Sequence, residues 1–239
     1  DVGAFFSGTT FQFNNATAGS GGAVFTNAAR IGSSIFFKDI YGISNYAAGN
    51  GGCLAVLNTI FSTTDRSDTS IISSNQAGGD GGAIYVENNT LDINSAKTLL
   101  SGNVAGGVGG AIALVNSADS IARCSVMYSS NEAGDGDDVY LRESSFSDST
   151  PTFKSASDGH SSVFIGTGST YSCSLVNNEG TFMDNSIVVD SSGILVLSEK
   201  SGNCPGVELN NAKVRNVLKS TSSKLLPHAS SSAMDSLTT

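Results

Sequence analysis

Ile72-Ser-Ser-Asn75-Gln-Ala-Gly-Gly-Asp-Gly81-Gly82-Ala83-Ile84-Tyr85-Val86 is the stretch whose reading decides the fold. Its parts return along the chain. Asn15 precedes Gly21-Gly22-Ala23-Val24-Phe25, Asn45 precedes Gly51-Gly52-Cys53-Leu54, and Asn103 precedes Gly109-Gly110-Ala111-Ile112. A degenerate fifth copy runs from Asn131 to Gly136-Asp137-Asp138-Val139-Tyr140. The asparagines lie 30, 30, 28 and 28 residues apart. In the four complete copies, Asn stands six residues before the first glycine of the pair. A fixed period of this length marks a solenoid, in which each unit buries its apolar face only by stacking on the next.

Each position of the repeat suggests a physical role. Ile72, Leu100 and Tyr128 stand three residues before Asn and read as inward residues at a strand end. The first copy is out of phase, with Phe11 before Asn14. The second has Gly42 at this place, beside Tyr41 and Ile43. Asn tolerates left-handed backbone angles, which suits a turn, and stacked amides can bond in a ladder. The Gly-Gly pair marks a corner with no room for Cβ, or with positive φ. Ala23, Cys53, Ala83 and Ala111 follow it as small, crowded inward residues. The β-branched and aromatic residues after them favour strands. Helical repeats would show 3.6-residue periodicity, which is missing here. The expected fold is all-β: a right-handed, single-stranded parallel β-helix with coils of about 28–30 residues, each holding three short strands.

Three regions follow. Residues 1–140 form coils with the Asn and Gly-Gly repeats. Residues 141–210 form further, irregular coils, with strand-like runs at Ser162–Ile165, Tyr171–Val176, Ser186–Val189 and Ile194–Leu197. In 211–239, Val214, Val217 and Leu218 have helical spacing and suggest a cap, followed by a Ser-rich tail.

Composition agrees. The 239 residues include 28 Gly and only 3 Pro, with no Trp, and 14% are charged. That balance favours short strands and tight turns. The net charge is −9, and the 12 Lys and Arg form no basic stripe, which argues against nucleic acid as a partner. No apolar run is long enough for a membrane-spanning helix. A chain starting at Asp1 reads as a processed mature protein or an excised piece. Cys53, Cys124, Cys173 and Cys204 lack the CxxC spacing of a zinc site. Cys173 and Cys204, both outside the clear repeats, are the disulfide candidates. Asn15-Ala16-Thr17 and Asn88-Asn89-Thr90 are glycosylation sequons.

Ile72-Ser-Ser-Asn75 with Gly81-Gly82-Ala83-Ile84, and Leu100-Ser-Gly-Asn103 with Gly109-Gly110-Ala111-Ile112, resemble the repeats of the chlamydial polymorphic outer-membrane proteins. The resemblance covers about residues 11–140. It implies the β-helical passenger of an autotransporter, acting in adhesion. No C-terminal run of alternating segments suited to a membrane barrel accompanies it.

Parallel β-helices also carry polysaccharide hydrolases and lyases, which need two carboxylates at fixed separation. Asp135-Gly-Asp137-Asp138 and Asp158-Gly159-His160 look faintly like such a set, but the companion motifs are missing. The first group falls where the repeat puts its glycine corner, so it reads as a degenerate turn. Asp135, Asp137 and Asp138 also make a candidate Ca²⁺ site, because a hard cation suits clustered carboxylates. His160 and His228 lie in Ser-rich stretches and read as surface residues. No nucleophile elbow, Walker motif or dinucleotide motif occurs. The expectation is a non-catalytic extracellular or cell-surface protein without a cofactor. Its partner would be a host or neighbouring surface protein or glycan. The alternative is a filament subunit that associates end to end, with a polysaccharide-acting enzyme third.

Overall fold

The computed structural model describes residues 3–28, 33–63, 69–154, 161–173, 187–190, 192–197 and 207–209. The described residues form strands and turns without a helix, and every strand pair is parallel. The chain is a β-solenoid. One face is an eight-stranded sheet of Val24–Asn27, Leu54–Leu57, Ile84–Glu87, Ile112–Val115, Val139–Arg142, Val163–Ile165, Ile187–Val189 and Val207–Leu209. A second face holds ten strands. Long ones such as Ser34–Ile43 and Ser120–Ser129 alternate there with split ones such as Ile60–Thr63 and Thr69–Ser73. The third face is narrow: Asn15–Ala16, Tyr46–Ala47, Gln76–Ala77 and Val104–Ala105.

Register on the first face measures the coil. Val24 pairs with Leu54, then Ile84, Ile112, Val139, Val163, Ile187 and Val207 follow. The coil therefore shortens from 30 residues through 28 and 27 to 24 and finally 20. Among the described residues, the last bridge of the third face runs from Val104 to Glu132. The shorter coils are also the ones that lack the Gly-Gly pair. The proposed cap and tail at 211–239 lie outside the described residues.

Alternation supplies the core. Ile84 and Val86, Ile112 and Leu114, Val139 and Leu141, and Val163 and Ile165 point inward and are buried. Facing them are Phe37, Phe61, Ile72, Leu91, Leu100, Tyr128, Phe146, Phe153 and Tyr171. Residues stacked one coil apart form short aromatic columns, with Phe6 on Phe37 at 5.1 Å and Tyr128 on Phe153 at 4.9 Å between ring centroids.

The two glycines of the corner do different work. The first holds positive φ, from +68° to +70° at Gly21, Gly51, Gly81 and Gly109. The second sits against the next coil. A Cβ on Gly22, Gly52 or Gly82 would lie 2.1–2.2 Å from the carbonyl oxygen of the second glycine one coil on. The left-handed turn expected at Asn belongs instead to the residue before it. Phe13, Ser44, Ser74, Gly102 and Ser130 have φ between +54° and +61°, and the asparagines do not share it.

Gly42 is explained by its neighbour. A Cβ there would meet the Cys53 sulfur at 2.4 Å. Coil two thus pairs a small strand-end residue with a larger corner residue, where the third coil has Ile72 and Ala83. Gly42→Ala should cost about 1–3 kcal/mol of stability, and adding Cys53→Ala should recover most of it in chemical denaturation. Gly52→Ala, whose Cβ would strike backbone, should be destabilising with or without Cys53→Ala.

Candidate functional site

A side-chain amide column runs through the interior at the corner between the second and third faces. Asn14 donates from Nδ2 to Oδ1 of Asn45 at 2.8 Å, Asn45 to Asn75 at 2.9 Å, Asn75 to Asn103 at 2.9 Å, and Asn103 to Asn131 at 3.0 Å. Each Oδ1 also accepts the backbone N–H of the preceding asparagine. The second Nδ2 hydrogen goes to a backbone carbonyl of the preceding coil: Phe11, Gly42, Ile72 and Leu100 for Asn45, Asn75, Asn103 and Asn131. Asn45, Asn75, Asn103 and Asn131 are at most 2% exposed. Burying an amide is tolerated only when its donors and acceptors are met, and here they are.

The first member of the column is Asn14, not Asn15. Asn15 pairs through its backbone with Tyr46 and is exposed. Coil one holds one more residue between ladder and corner, so Phe11-x-x-Asn14 is the in-phase copy and the glycines remain in register.

The column ends on Asp138, which stands where the other coils have Ala or Cys. Asn131 donates to its Oδ1 at 2.7 Å. Asp138 is 1% exposed, and burial pushes its carboxyl up to about 7. The neighbouring Asp137 charge adds to this rise, while hydrogen bonds from Asn131 and Ser162 oppose it. Asp137 takes the second-glycine place and turns its carboxylate to the N–H of Ala133 at 2.9 Å. Asp135 is exposed. The three aspartates expected to form a Ca²⁺ turn are therefore not brought together. Among the described residues no group of three His, Cys, Asp or Glu is placed to hold a metal ion. Asp158, His160 and His228 lie outside the described residues.

A second buried acid was not anticipated from the sequence. Asp148, on the long strand Ser145–Lys154, accepts a hydrogen bond from the Tyr128 hydroxyl at 2.9 Å. Burial raises its carboxyl to about 8, and the Tyr128 bond partly offsets that. Cys53 and Cys124 are buried. Burial pushes Cys53 up to about 12 and also raises Cys124, so both stay protonated and poorly nucleophilic. The proposed Cys173–Cys204 pairing lies outside the described residues, because Cys204 is not among them.

A second column is on the surface. Asn58, Asn88, Asn116 and Glu143 follow strands of the first face with φ between +49° and +57°. Asn58 donates to Asn27 at 2.9 Å, and Asn116 to Asn88 at 2.6 Å. Asn88, the second sequon asparagine, is exposed at this corner. Behind it, Ser144 and Ser169 accept the N–H groups of Ser117 and Ser144. The sequence signal is an Asn right after the strands Leu54–Leu57, Ile84–Glu87 and Ile112–Val115, followed at Asn58 and Asn116 by Thr59 and Ser117.

Comparison with known sequences bears on one coil. Residues 69–87 match the profile of the Chlamydia polymorphic membrane protein repeat. That span begins with the second-face strand Thr69–Ser73, passes Asn75, the third-face pair and the glycine corner, and ends with the first-face strand Ile84–Glu87. In this chain the matched span thus touches all three faces. Neither the curated proteins nor the solved structures yielded a match. No helix among the described residues is long and apolar enough to cross a membrane.

Asn75→Ala strips acceptors from Asn45 and donors from Asn103, and should cost about 3 kcal/mol. Asn15→Ala should stay within about 0.5 kcal/mol of the parent. Equilibrium unfolding of both variants checks this. The buried acids set a pH dependence of definite sign. Unfolded, each carboxyl titrates near its ordinary value of 3.8, while folded they hold protons to about 7 and 8. Their full contribution is present below about pH 4 and is lost as pH rises through the folded values, because the folded state binds more protons. The melting temperature should therefore fall between about pH 4 and 8, and the fall should be shallower in Asp148→Asn.

Proposed function

We propose that this protein is a non-catalytic rod displayed outside or on the surface of a cell, which binds a host or neighbouring surface protein or glycan. The observation that carries this reading is the coincidence of the family repeat with the structural unit of the solenoid at residues 69–87. The repeat and the solenoid together fit a surface-exposed, autotransporter-like passenger. The physics of the interior is consistent with that use. The buried asparagines, the buried thiols and the apolar columns act on the stacking of coils. What remains for recognition is a set of flat outer faces, on which many weak contacts can add up.

Labelled protein should bind cells of the receptor-bearing type saturably in flow cytometry, and unlabelled protein should compete. Binding should survive Cys53→Ala, which alters only the interior. Non-saturable binding, or equal binding by heat-unfolded chain, would overturn the adhesive reading.

A further inference from the structure

The strands of the first face turn one row of side chains outward, away from the core. In register from coil to coil this row reads Phe25, Ala55, Tyr85, Ala113, Tyr140, Phe164 and Val188, and only then Glu208. Seven successive coils thus place an apolar or aromatic residue where alternation gives the position to solvent. Tyr140 and Phe164 stack at 5.4 Å between ring centroids. Beside the row, Val115 joins Tyr85 and Ala113 in a cluster separate from the main core, with Leu57 packed against it. Phe25 is 52% exposed, whereas Tyr85 is 5% exposed although its neighbours in the row are alanines. Its cover therefore comes from outside the row. Carboxylates surround this patch. Burial raises the Tyr85 and Tyr140 hydroxyls. Glu87 and Asp80 add to the rise at Tyr85, and Asp135, Asp80 and Asp190 at Tyr140, while Arg142 opposes it at both. Four acids thus stand against one cation.

We propose that residues 211–226 of this chain, which lie outside the described residues, dock lengthwise on this outer side of the first face. Charge selects the occupant. The segment holds Lys213, Arg215, Lys219 and Lys224, four of the chain's 12 Lys and Arg, and all 21 Asp and Glu lie elsewhere. Opposite potentials favour this pairing, whereas the remainder of the chain is net negative like the patch. Val214, Val217, Leu218, Leu225 and Leu226 supply apolar side chains for the aromatic row. The segment also starts in the right place. It follows Val207–Leu209, the last described strand of the same face. In register, Tyr140 is three coils from Glu208. At strand-pairing spacing that is about 14 Å, which about five extended residues span. Covalent attachment keeps the segment at high local concentration, so contacts that are weak one by one suffice. This contact goes beyond the adhesive reading and does not depend on it. It takes one outer face of the rod out of reach of an external partner.

Carbodiimide coupling of the full chain, read by mass spectrometry, tests it. Lys213, Lys219 or Lys224 should be joined to Asp80, Glu87, Asp135 or Asp190 within one chain, and the yield should fall as salt is raised. Replacing Lys213, Arg215, Lys219 and Lys224 together by Glu should uncover the face. Nitration of Tyr140 should then rise ~10-fold relative to the parent chain, with Tyr41 on the second-face strand Ser34–Ile43 as internal reference. Asp135→Lys, at an exposed position, should lower the coupling and raise the nitration without altering the segment. Circular dichroism matching the parent confirms that both variants are folded. Links formed only between chains would assign the face to a second copy and overturn the proposal. So would the absence of these links in folded protein, or nitration of Tyr140 that neither variant changes.

Discussion

Everything in this solenoid depends on coils lying at strand-pairing distance at the corner where asparagine and glycine meet. Two constraints enforce it together. The second glycine of each pair leaves no room for a side chain, since a Cβ would lie 2.1–2.2 Å from the next coil's carbonyl oxygen. A few residues upstream, Asn45, Asn75 and Asn103 each place both amide hydrogens and both lone pairs on neighbours one coil away. Neither feature works alone. Without the close approach the amides would fall out of reach, and without the amides the corner would bury unmet backbone groups. Register is fixed as a result, because a slip of one residue breaks the column and turns the apolar side chains of each strand outward.

The column also explains how the repeat stops. In the fifth coil the small corner residue becomes Asp138, a carboxyl that accepts from Asn131. Asp137 replaces the second glycine and folds back onto Ala133. Beyond this point the coil contracts toward 20 residues. The junction is thus built from groups that are costly to ionise. Asp138 and, nearby, Asp148 are held toward their protonated forms by burial. The acidic motif at Asp137-Asp138 thus sits at the end of a structural column.

Much of this was legible in the sequence, for reasons that can be named. The period, the glycine pair and the strand residues repeat because stacked coils impose the same geometry at each level. Phase was harder. Asn14 and Asn15 are adjacent, and spacing to the glycines favoured Asn15, because coil one carries an extra residue between ladder and corner. The left-handed residue escaped notice because Phe13, Ser44, Ser74, Gly102 and Ser130 share a backbone angle and no chemistry. Gly42 breaks the run of large residues at its place, and only the fold shows that Cys53 fills its space. Asp148 and Tyr128 are 20 residues apart, and no pattern in the chain announces their bond. The surface column at Asn58, Asn88 and Asn116 was readable but overshadowed by the stronger glycine signal.

The most direct test of the stacked-amide account is hydrogen exchange of individual asparagine side chains, followed by NMR on selectively labelled protein. The Nδ2 hydrogens of Asn45, Asn75 and Asn103 should be protected nearly as strongly as core backbone amides, while those of Asn15 exchange freely. Exchange at Asn45, Asn75 and Asn103 as fast as at Asn15, in protein shown to be folded, would contradict it.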